Sequence, residues 1–100
     1  MDTDLTHENL SSQLNTTFSV KHETGELQLE LTEVSTRKLG ERNEQFSVIF
    51  RGPSDQSLGQ GMRRMEHKRF GEFDLFIVPI RQDADGLYYE AVFNRFLDQV

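Results

Sequence analysis

Glu90, between Tyr89 and Ala91, is the one carboxylate of this 100-residue chain set among apolar neighbours in a way that suits acid-base chemistry. Burial there would raise its pKa and let it act as a general base. The competing reading is an ion pair with an arginine such as Arg51 or Arg64. Together with Tyr88 and His67, Glu90 could line the cavity of a small-ligand barrel or an enzyme. No second carboxylate, nucleophile elbow or Ser-His-acid order accompanies it, so the residues favour a protein that is not an enzyme, with no catalytic set.

The remaining chemical candidates are each better explained by structure. His7, His22 and His67 fall in a helix start and two different strands, without the spacing or carboxylate clustering of a metal site, so neither a metal nor a cofactor is expected. His67 stands just before a turn at 68–71, and its imidazole is placed to hold that turn through a backbone hydrogen bond. Asp83-Ala84-Asp85-Gly86 begins like a calcium loop but lacks the ligand spacing of one, and reads as a turn. Gly59-Gln60-Gly61 lacks the Lys-Ser or Lys-Thr of a phosphate loop and leads into a strand, so its glycines serve a tight backbone path.

Arg63, Arg64, Lys68 and Arg69, followed by Phe70, form the best basic cluster and could contact phosphates in a barrel-type nucleic-acid binder. Aromatic residues are not interleaved with these bases as stacking platforms. In an alternating strand Arg63 and Arg64 also point to opposite faces. Nucleic-acid binding through this segment is therefore a third reading, behind protein interaction and a ligand barrel.

Composition narrows the class further. Residues 1–36 carry seven acids and one base, 37–70 four acids and eight bases, and 71–100 six acids and two bases, for a net charge of −6. A basic middle between acidic flanks suits pairing with another protein or with a second copy, unless neighbouring strands compensate one another locally. The absence of cysteine excludes a thiol nucleophile, a cysteine zinc site and disulfides, and fits a cytoplasmic location. The acidic N-terminus is unlike a secretory signal and no apolar run approaches the roughly 20 residues of a membrane span, so a soluble, unprocessed protein is expected.

The elements that must position these residues are mostly short strands. Leu5-Thr6-His7-Glu8-Asn9-Leu10 has a helix-start pattern, with Thr6 as N-cap and Leu5 stapled on Leu10, and predicts a helix to about Leu14. Strands are predicted at 17–23 and 26–34, joined at Thr24-Gly25, with a bulge near Glu33-Val34. A mobile polar loop at 35–44 follows. Further strands are expected at 45–51 (Phe46, Val48 and Phe50 inward, Ile49 outward), 62–67, 73–80 and 87–94, with Leu58 anchoring the connector at 54–61. Pro79 marks an edge, bulge or terminus.

The last two strands are apolar on both faces, one to be buried in the interior and the other to be covered by the helix or by the tail at 95–100. The pattern makes residues 1–100 a single mainly β domain: a six-stranded antiparallel barrel or roll with a short N-terminal helix, its helical segment within 1–15.

Phe50-Arg51-Gly52-Pro53, Gln60-Gly61, Glu66-His67, Gly71, Leu75-Phe76-Ile77-Val78-Pro79-Ile80, Gly86 and Tyr89-Glu90-Ala91-Val92-Phe93-Asn94, in this order and spacing, resemble a family of short bacterial proteins designated only as a domain of unknown function. The resemblance covers nearly the whole chain and departs from the family pattern at Met62-Arg63-Arg64-Met65. It implies no catalytic residues. It does imply a structural or accessory role beside phage-tail-like or fibre-forming proteins, in the cytoplasm or in an assembled extracellular particle. Candidate contact residues are Arg37, Lys38 and Arg42 in the long loop, Arg63 and Arg64 on the fourth strand, and Phe96 and Leu97 in the tail.

Overall fold

The computed structural model describes residues 4–22, 25–36, 38–41 and 43–96, the side chains of Arg95 and Phe96 excepted. It contains α1 (His7–Ser11), β1 (Thr17–His22), β2 (Gly25–Val34), β3 (Lys38–Leu39), β4 (Asn43–Gly52), β5 (Gly61–His67), β6 (Gly71–Asp83) and β7 (Gly86–Phe96). The strands lie in the order β2-β1-β5-β6-β7-β4-β3, and a β2–β4 pairing closes six of them into an antiparallel barrel. The expected six-stranded barrel with its N-terminal helix is what the chain forms.

Closure depends on two strands that hand over from one partner to another along their length. β2 pairs with β1 up to Glu30 and with β4 from Glu30 onward, while β6 pairs with β5 up to Ile77 and with β7 from Val78 onward. Both carry a register shift where they change partner, between Leu31 and Glu33 on β2 and between Pro79 and Arg81 on β6. An extra residue bends and twists a strand locally, which is what turning a barrel corner requires. Pro79, unable to donate to a ladder, falls at the second of these corners.

Alternation fills the interior. Phe18, Val20, Leu29, Leu31, Val48, Phe50, Met65, Ile77 and Tyr89 are fully buried, and Phe93 stacks on Phe46 with centroids 4.7 Å apart. The connector after β4 is tied down as expected by Leu58, whose side chain is buried and whose N–H donates to the Tyr89 hydroxyl at 3.0 Å. At the β6–β7 turn Gly86 has φ +150°, and a Cβ there would collide with the Gly52 carbonyl, so both the conformation and the close approach require glycine. The Arg51-Gly52-Pro53 and Asp85-Gly86 motifs are thus two sides of one contact.

Several expectations need correction. The helix stops at Ser11 rather than Leu14, because the Ser12 hydroxyl donates to the Asn9 carbonyl and the chain then turns through Asn15 at φ 68°. The segment 35–44 is not wholly a loop, since Lys38–Leu39 pairs with Gln45 and Glu44 as β3. β7 continues to Phe96, so the last strand takes in the start of the expected tail.

α1 does not cover the outer face of the β6–β7 hairpin. It packs on β2 and closes one end of the barrel through Leu10, with its Asn9 Oδ1 accepting from Arg69 at 3.2 Å. Thr6 caps it as expected, accepting from the Asn9 N–H at 3.0 Å. A helix of five residues is marginal alone, and these tertiary contacts are what hold it.

Candidate functional site

The residues proposed for a ligand or catalytic cavity do not meet. His67 faces the interior, whereas Tyr88 and Glu90 project from the outer face of β7, between the inward Tyr89 and Ala91. Tyr88 is covered by the Arg81 guanidinium, 4.1 Å from its ring centroid. Glu90 takes neither of the arginine partners suggested for it: Arg51 pairs with Glu30, and Arg64 with Asp74 at 3.2 Å.

His67 does the structural task read from its position. Its Nδ1 accepts the Arg69 N–H at 3.0 Å, which holds the 68–71 turn. A neutral ring accepting at Nδ1 carries its proton on Nε2, so Nε2 donates to the Thr16 hydroxyl at 2.9 Å, and that hydroxyl donates to the Gln13 carbonyl at 2.7 Å. The ring lies against Phe18 and Phe70, at 4.1 and 5.0 Å between centroids. Burial, with the nearby Arg69 charge adding to it, lowers the His67 pKa below the usual histidine value.

The other end of the same strand is open. A cleft of about 460 Å³ is lined by Lys21 and His22 at the end of β1, by Leu58 and Gly59 of the connector, and by Met62, Arg63 and Arg64 at the start of β5. Arg63 and Arg64 leave the strand on opposite faces, yet both reach this cleft because it lies at the strand's end. Among the described residues no carboxylate lines it.

The cations of the cleft differ in how far they are already used. Lys21 Nζ donates to Glu72 at 2.6 Å; that hydrogen bond, and the charge attraction with it, raises the lysine pKa and lowers that of the carboxyl. Arg64 is held by Asp74. Arg63 donates only to the Gly59 carbonyl, at 2.7 Å, and its Nε is buried without a partner.

The outer surface carries an apolar face that alternation alone predicted and nothing described covers. Met62 and Phe76 are cross-strand neighbours on β5 and β6, 62% and 46% exposed, and Val92 on β7 is 69% exposed. Val92 and Glu90 also line an open cleft of about 320 Å³ with Lys38, the one residue of the long-loop candidates that can be placed. Arg37, Arg42 and Leu97, and the side chain of Phe96, lie outside the described residues.

Phe50, Tyr89 and Asn94 sit within the framework of the barrel. Phe50 packs edge-on against Phe18 at 5.2 Å, Tyr89 anchors the connector, and Asn94 pairs across to Gln45. Among the described residues no group of three or more His, Asp or Glu side chains could hold a metal ion, and no helix is long and apolar enough to cross a membrane.

Sequence reading missed Lys21 and His22 as neighbours of Arg63, because they converge only through the β1–β5 pairing. Available signals were the paired arginines at Arg63-Arg64 and the glycines before them.

Comparison with known proteins returns one result. No curated protein and no solved structure matches the chain. A family model does, over residues 5–93, which span the fold from α1 to β7. The chain belongs to the family described as Domain of unknown function (DUF6916).

Proposed function

We propose that the domain is a non-enzymatic interaction module that binds another protein or a second copy of itself. The observation that carries this reading is the exposed apolar pair Met62 and Phe76, with Val92 also exposed on β7, on the outside of a barrel whose interior is occupied by its own side chains. Adjacent exposed apolar groups on a sheet face are a feature of interaction surfaces. The family resemblance supplies the companion class: phage-tail-like or fibre-forming proteins, which the domain accompanies or helps to assemble.

Affinity capture with the wild-type chain and with a Phe76→Glu/Val92→Glu variant tests the reading, alongside light scattering at high concentration. The wild type should recover a fibre-forming or tail-like protein, or self-associate. The variant should do neither while unfolding at a similar midpoint. A wild-type chain that stays monomeric and captures nothing would sink the proposal.

A ligand barrel using Glu90, Tyr88 and His67 has less support, since the three side chains point to different sides of the wall. Binding of nucleic acid through the basic middle predicts steeply salt-dependent retention on a polyanion. Within its cluster Arg64 is held by Asp74 and lies near Glu72, and Arg69 donates to Asn9.

A further inference from the structure

Arg63 sets the problem. Its guanidinium is half-buried at the mouth of the cleft between β1 and β5, with a backbone carbonyl as its only described acceptor and a buried Nε that has none. Among the described residues no carboxylate lies within ion-pair distance of it, although Lys21 and Arg64 beside it have theirs. A buried polar group left without a partner is costly, and a cation partly withdrawn from water gains most from an anion that replaces its lost solvation. The cleft, at about 460 Å³, has room for a side chain, and no acid among the described residues lines it.

We propose that this cleft receives an acidic side chain from an exposed segment of a partner protein, the carboxylate pairing with Arg63 and an adjacent apolar residue covering Met62. A carboxylate matches the planar guanidinium in geometry and charge. Met62, exposed on the rim, offers the apolar half of the contact. The charges around the cleft argue for one carboxylate rather than a phosphate chain. Glu66, Glu72 and Asp74 share the outer face next to it and would repel a polyanion, whereas a single acid entering the cleft meets Arg63 first.

This inference rests on reading the domain as a protein-binding module, and its test is separable from the test of that reading. The isotope-labelled full chain is titrated at low salt with the blocked tripeptide Leu-Glu-Leu, with Leu-Gln-Leu, and with inorganic phosphate, following amide and Arg63 Nε–H resonances. The glutamate peptide should shift Gly59, Met62 and Arg63 and bind about tenfold more tightly than the glutamine peptide. Arg63→Gln should remove that preference, and Arg63→Lys, which keeps the charge without the fork, should retain part of it.

Equal binding of the two peptides, or a preference undiminished in Arg63→Gln, overturns the proposal. Shifts of the same resonances by phosphate but not by the glutamate peptide would make the cleft a small-anion site and overturn the peptide assignment. Shifts that grow with protein concentration alone would place a second copy there, with the same consequence. If the peptides fail while Phe76→Glu/Val92→Glu still abolishes capture, the interaction module stands and only this cleft loses its role.

Discussion

At one end of the β1–β5 pair, His67, Thr16 and Gln13 pass one hydrogen bond to the next beneath a stack of phenylalanines, with α1 drawn across them. At the other end, about 13 Å away by strand rise, Arg63 has one described carbonyl and an open cleft. Both ends hold cationic or titratable side chains. In the first each described polar atom of the ring has a partner within the chain, and in the second a donor has been left without one. The difference separates a region whose ring nitrogens are both engaged from one that holds a buried donor with no described partner.

Four perturbations would break or sharpen that contrast, beginning with the most severe. Phe18→Ala should cost about 3 to 5 kcal/mol, because Phe18 is fully buried against Phe50, His67, Phe70 and Phe73. Denaturant unfolding measures it; a loss under about 1 kcal/mol would mean the aromatic stack does not hold the closed end. Tyr89→Phe strands the buried Leu58 N–H and should cost about 1 to 3 kcal/mol. It should also loosen the wall of the open cleft, seen as faster amide exchange at Leu58 and Gly59.

The pH dependence comes next. His67 has its pKa lowered in the folded state, so the unfolded chain takes up its proton first as the pH falls. Its contribution is fully present above the unfolded value of about 6.5 and is lost as the pH falls below that toward the folded value. Protonation would set an Nδ1–H against the Arg69 N–H. Unfolding midpoints measured from pH 8 to pH 5 should decline in the wild type and decline less in His67→Gln; parallel curves would remove His67 from the closed end. Smallest of all, Arg63→Gln should leave stability within about 0.5 kcal/mol of the wild type. A large loss would show that Arg63 braces the fold and is not held in reserve.

The closed end was legible in the sequence and the open end was not, for a physical reason. Phe46, Val48 and Phe50, or Leu27, Leu29 and Leu31, announce a face by alternation within one strand, and Thr6 or His67 by its position beside a helix start or a turn. Such signals are local. The cleft brings residues 21–22 beside residues 59–64, and that proximity exists only once β1 and β5 pair, through the two described partners Ser19–Glu66 and Val20–Met65. The apolar outer face was visible as a pattern, but of its two expected covers the helix goes elsewhere. A single turn of helix satisfies the barrel end, where Leu10 and Asn9 find partners, before it can serve the hairpin, and the tail past Phe96 lies outside the described residues. β3 was hidden because two residues carry too little pattern to register.

The strands that change partner, β2 and β6, have a consequence for how the molecule comes apart. Since each is a member of both halves of the wall, neither half can peel away without breaking the ladder of the other. Melting should therefore be a single cooperative event, with transient openings confined to the connectors and the hairpin tip at 83–86. A chain built this way can offer its outer surface to a large assembly and be pulled on from one side without unravelling a strand at a time.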